Sequence, residues 1–136
     1  MNNKQVLHSN VADQLFIYDK GLINESIKNF NSTGKFIVKG CIQRADSPNQ
    51  NKRIYPLEIL KKQVEEYNQK FVATRQALGE LDHPDRDTVE LKTTSHIITE
   101  IYWKGKDVWA TIEVLDNLPC GKILRGLFER GINVGI

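Results

Sequence analysis

The stretch SHIITEIYWKGKDVWATIEVL, residues 95–115, restricts the fold of this chain more than any other. Its first arm sets Ile97, Thr99, Ile101 and Trp103 on one side against Ile98, Glu100 and Tyr102 on the other. The second arm sets Val108, Ala110, Ile112 and Val114 against Trp109, Thr111 and Glu113. An apolar period of two is the pattern of a strand with one buried face. Only Lys104-Gly105-Lys106 separates the arms, a short turn containing glycine, so the two strands form a hairpin and lie antiparallel.

The flanking segments supply the rest of the architecture. LFIYD (15–19) reads as a strand, and NESIKNFNSTG (24–34), rich in Asn, Ser and Gly, runs into a loop. FIVKGCIQ (36–43) is a strand with Phe36, Val38 and Ile42 on one face and Gly40 at a point of close packing or a bulge. RADSPNQNKR (44–53) is a polar surface loop. A helix over about 56–70 opens at Pro56 and carries Leu57, Leu60, Val64 and Phe71 at helical spacing. A second helix opens at Pro119, with Ile123, Leu124, Leu127 and Phe128 on one side and Gly131 as its C-cap. INVGI (132–136) reads as the start of another strand.

This order predicts an α+β fold, mainly an antiparallel, barrel-like sheet flanked by helices, rather than the regular alternation of a doubly wound sheet. The last strand stops in the middle of its apolar pattern, and the expectation is a single domain that is incomplete at its C-terminus.

Bulk properties exclude several function classes. With 40% hydrophobic and 26% charged residues among 136, the chain falls in the globular class. A formal charge of +2 does not by itself imply a nucleic-acid partner. No apolar run approaches the ~18 residues of a membrane span, and MNNKQVLHSN has no apolar signal core. Cys41 and Cys120 form no CxxC pair and read as reduced thiols. Nothing resembles a phosphate-binding glycine loop.

The residues that could carry chemistry are few. His8 lies in a polar N-terminal segment, and His96 begins a strand among apolar neighbours, where it reads as a half-buried or surface side chain. His83, in ALGELDHP (77–84), is set apart. Pro84 pushes it toward extended geometry and stiffens the chain after it, and Gly79 lets the chain turn before it. Such a histidine is suited to proton transfer, and equally to a plain loop hydrogen bond. Asp82, His83, Asp85 and Asp87 lack the ligand spacing of a zinc or calcium site, so no metal or other cofactor is expected. Lys52 and Arg53 read as a solvated loop, with contact to phosphate or an acidic partner as the alternative.

Four segments in order carry a resemblance: NKRIYP (51–56), QALGELDHP (76–84), YWKGKDVWATIEVL (102–115) and GINVGI (131–136). Together they resemble the prohead core proteases of T4-like tailed bacteriophages, related in fold to the herpesvirus maturation proteases. The resemblance covers residues 36–136 and leaves 1–35 as a variable segment of one protease domain. It implies a serine endopeptidase with His83 as general base. Its nucleophile would sit in a motif like GVSSRG, and Val134-Gly135-Ile136 matches the run into that serine. Ser9, Ser26, Ser32, Ser47 and Ser95 do not fall there, so the chain as it stands is expected to be inert.

A serine hydroxyl needs an adjacent base to become nucleophilic, and a histidine roughly fifty residues upstream can serve, because such sites join residues distant in sequence. The implied substrates are scaffold or core proteins and the major capsid protein. Cleavage is expected inside the prohead in the bacterial cytoplasm, with self-association and no membrane or specific nucleic acid. In T4-like members cleavage tends to follow glutamate, and Arg53 is a candidate to receive that side chain. The competing readings are a non-catalytic capsid or tube assembly module of related fold, and a basic nucleic-acid binder.

Overall fold

A computed structural model describes residues 16–48, 52–80 and 91–134. Its strands are β1 (Ile17–Tyr18), β2 (Phe36–Arg44), β3 (Leu78–Glu80), β4 (Thr94–Lys104) and β5 (Asp107–Val114). They form one antiparallel sheet in the order β1-β2-β5-β4-β3. The sheet is open among the described residues, with β1 and β3 at its edges, so the α+β antiparallel architecture is present without closure into a barrel. Among the described residues three α-helices accompany it: α1 (Ile23–Thr33), α2 (Leu57–Tyr67) and α3 (Pro119–Glu129). None is long and apolar enough to cross a membrane.

The hairpin forms as its alternation demands. Lys104 pairs with Asp107 across the turn, and Gly105 supplies the positive φ of 60° that an L side chain adopts poorly. Val108, Ala110, Ile112 and Val114 are all buried. On β4 the simple period of two breaks, because the register shifts between Ile98 and Glu100 and leaves Thr99 as an extra residue. Ile98 therefore pairs with Ile112, but Ile101 pairs with Ala110 and Trp103 with Val108. A second shift on β2, between Cys41 and Gln43, makes Ile42 the bulged residue. Gly40 lies just before it, where a Cβ would come within 2.7 Å of the Ile17 carbonyl and of Phe16.

The main core joins the sheet to α1 and α3. Phe16, Tyr18, Phe36, Val38, Ile112, Leu124 and Phe128 are its large members, with Ile27 and Phe30 of α1 packed against it. A smaller cluster sets Leu60 of α2 on Val108 and Ala45. Arg125 of α3 braces the outside, stacked on Phe30 at 4.6 Å and paired with Asp116 at 2.7 Å.

Four local expectations are corrected. Residues 23–33 are helical, although polar, because Ile23, Ile27 and Phe30 recur on one face; Gly34, at φ 77°, ends the helix. Pro56 precedes α2 as its N-cap, and the carboxylate of Asp46 reaches in to accept the Leu57 N–H at 3.0 Å. That bond, and then Lys106 at 3.2 Å, holds the Asp46 carboxyl below its ordinary range. Phe71 and Ile123 are exposed rather than core, and Phe71 packs on Tyr67 with ring centroids 5.2 Å apart. Residues 132–134 form no strand. They run in irregular backbone, and Val134 accepts a hydrogen bond from the Phe16 N–H at 3.0 Å.

Two helical segments end in the same hydrogen-bond motif. After α3, Ile132 N–H reaches Leu127 and Gly131 N–H reaches Phe128, with Gly131 at φ 70°. After the π-helical turn Asn68–Val72, Gln76 N–H reaches Phe71 and Arg75 N–H reaches Val72, with Arg75 at φ 59°. This is the Schellman arrangement, which favours glycine at the left-handed position. Arg75→Gly is therefore expected to raise the free energy of unfolding by about 0.5–1 kcal/mol in a urea titration. An unchanged or lower midpoint would show that the arginine side chain stabilises more than its backbone strain costs.

Candidate functional site

Buried polar groups gather at one corner of the sheet. Glu80, Thr94, Ser95 and His96 are four of the five buried polar residues among those described, Thr111 being the other. Burying such groups costs free energy unless they are hydrogen-bonded, so their concentration marks a place where chemistry or precise geometry is needed. They lie on β3 and at the start of β4, on either side of residues 81–90.

The geometry follows from a register shift. Gly79 pairs with His96, but Glu80 pairs with Thr94, so Ser95 is an extra, bulged residue on β4. Its hydroxyl is 2.9 Å from His96 Nδ1, and both side chains are sealed from solvent at 0% and 1% exposure. The imidazole lies against the backbone of β3. A Cβ on Gly79 would fall 2.1 Å from His96 Nε2 and 2.4 Å from Cε1. Thr93 Oγ1 donates to Glu80 Oε1 across the base of the corner.

Two readings of the sequence change here. Gly79 is not a turn; it is extended β3 backbone whose missing Cβ admits the imidazole. His96 is not a half-buried strand residue but a fully buried one. Alternation alone could not reveal this, because the Ser95 bulge resets it. The available signal was a polar Ser-His pair at the head of an otherwise apolar strand.

The residue assigned the catalytic role, His83, lies outside the described residues, as do His8, Asp82, Asp85 and Asp87. Among the described residues no trio of His, Cys, Asp or Glu is arranged to hold a metal. Three side chains among the described residues that could act as nucleophiles are poorly suited to attack. Ser95 is wholly buried, and burial, with Asp107 nearby, pushes the Cys41 thiol up and keeps it protonated. Ser26 is engaged with the Ile37 carbonyl at 2.8 Å. Lys52 is exposed beside Arg53 in the loop before α2, with a strained φ of 61°.

An antiparallel sheet with three helices among the described residues agrees with what comparison with known proteins finds. The model of the prohead core protein serine protease family matches residues 8–136, and the chain belongs to that family. It is 42% identical over 79 residues to the prohead core protein protease of Enterobacteria phage T4, a match covering 58% of this chain and 37% of that protein. The solved structure of the bacteriophage T4 capsid assembly protease superposes with a TM-score of 0.64 at 37% identity, covering 70% of this chain and 58% of that one. The chain thus spans well under two thirds of the length of these relatives.

Proposed function

We propose that this chain is the base-bearing part of a phage prohead maturation serine endopeptidase, with His83 as general base. Membership of the prohead core protease family over residues 8–136 carries the reading. GELDHP (79–84) lies within that match and supports the assignment of His83. In a protein that continues past Ile136, the nucleophile is a serine following Val134-Gly135-Ile136, placed there by likeness to the family motif. His83 takes the proton from that hydroxyl as it attacks the scissile carbonyl, then returns it to the leaving amine. Backbone N–H groups near the serine stabilise the oxyanion. The substrates are the internal scaffold and the major capsid protein, cleaved inside the prohead, where several copies of the protease assemble.

The test is self-processing of the full-length protein. His83→Ala is expected to abolish it, a loss on the order of 10⁴-fold or more, since removing any member of such a triad leaves only residual catalysis. Circular dichroism should show the fold retained. Self-processing at the wild-type rate in the His83→Ala variant would remove His83 from the mechanism.

A further inference from the structure

We propose that His96 is a positioning residue for this reaction: its imidazole, held by Ser95 against Gly79, fixes the end of β3 from which the chain continues to His83. The inference rests on the assignment of His83 as base. Four observations carry it. The bulge at Ser95 brings Glu80 opposite Thr94 and so sets the direction in which β3 ends. The Ser95 hydroxyl, 2.9 Å from Nδ1, fixes the rotation of the ring. Gly79 leaves no room for any side chain between ring and strand, so ring and backbone are in direct contact. Glu80, the last residue of β3, is buried and bonded to Thr93. His83 follows three residues later in the sequence.

The chemistry explains why such a device is useful. A general base works only within hydrogen-bond reach of the hydroxyl it deprotonates, and a misplacement of ~1 Å can cost on the order of 10²-fold in rate. A strand end anchored by a packed, bonded ring is itself held with little slack. An apolar side chain at position 96 could fill the space but could not be fixed in rotation by Ser95.

The experiment uses the full-length protein and a biotinylated fluorophosphonate, which reports the activated serine because its oxygen bonds to the phosphorus as the P–F bond breaks and fluoride leaves to solvent. The rate kinact and the affinity KI are measured separately, beside thermal unfolding. Ser95→Ala is expected to fold normally, to lower kinact roughly 10-fold and to leave KI within about 3-fold; His96→Ala is expected to lower kinact by about 100-fold. Gly79→Ala should destabilise through its clash with the ring. Gly79→Ala combined with His96→Ala should regain thermal stability while kinact stays low, which a purely structural role does not produce. Folded His96→Ala protein, or the folded double variant, labelling within twofold of wild type would overturn the proposal. So would losses that merely follow the folded fraction. His83→Ala separates the two ideas. If it labels as fast as wild type, the base assignment fails and takes this inference with it. If it is inert while the His96 variants label at full rate, only the positioning role fails.

Discussion

Gly121→Ala is expected to lower the stability of this protein by about 3 kcal/mol or more, the upper range for overpacking at a site that cannot yield. A Cβ there would lie 1.7 Å from the Leu115 carbonyl oxygen and 2.4 Å from its carbon. These are backbone atoms, and they are pinned: Leu115 N–H donates to Ser95 O at 2.9 Å, and Leu118 N–H donates to Leu115 O at 3.0 Å. Relief requires α3 to lift away from the segment that follows β5. That motion draws Leu124 and Phe128 from the core. Gly126, on the same helix, provides the control, since a Cβ there meets nothing within 4 Å. Gly126→Ala is expected to raise stability by about 0.5–1 kcal/mol through helix propensity alone. Urea midpoints for the two variants check the pair. Equal midpoints would mean that the close approach at Gly121 carries no energetic weight.

Phe128→Ala is expected to cost about 3–5 kcal/mol, the range for deleting a fully buried aromatic ring. Phe128 has no solvent exposure and touches two other rings. Tyr18 meets it edge-on, with centroids 5.0 Å apart and planes at 82°, and Phe16 lies 5.9 Å away. Edge-to-face contacts of this kind add to the burial itself. Because Phe16 and Tyr18 bracket the edge strand β1, the cavity left by the ring would loosen that strand along with α3. A domain with a total stability of about 5–15 kcal/mol loses a large fraction of it in one substitution. Differential scanning calorimetry would show the effect, and Ile123→Ala on the exposed side of α3 should shift the transition far less. A loss at Ile123 as large as that at Phe128 would contradict the assignment of the helix's buried face.

The sequence disclosed the elements with strong periodicity and hid those shaped by single close contacts. The hairpin, α2 and α3 followed from apolar spacing, because their buried faces are continuous: Val108 to Val114, Leu60, and Leu124 with Phe128. α1 was concealed by its Asn and Ser content, which weighs on propensity but leaves the stripe of Ile23, Ile27 and Phe30 intact. The bulges at Ser95 and Thr99 could not be read, since each resets an alternation by one residue without any composition signal, whereas Gly40 marked the tight packing two residues before the bulge at Ile42. The same blindness hid the buried Ser95–His96 pair. His83 was singled out by GELDHP and by likeness to the family, whereas the supports proposed for it depend on a strand pairing that no local pattern encodes.

The tie between Phe16 and Val134 bears on how the molecule assembles in time. The Tyr18 hydroxyl donates to the Ile132 carbonyl at 2.7 Å across a sequence separation of 114 residues, and the Phe16 N–H donates to Val134 beside it. Closing so long a span is entropically unfavourable until the intervening structure exists, and contacts of this reach form slowly. β1 is therefore expected to form late, as an edge strand added to the sheet after α3 has docked. In pulsed hydrogen exchange the Phe16 amide should acquire protection only with the final folding phase, behind the amides of the β4–β5 hairpin.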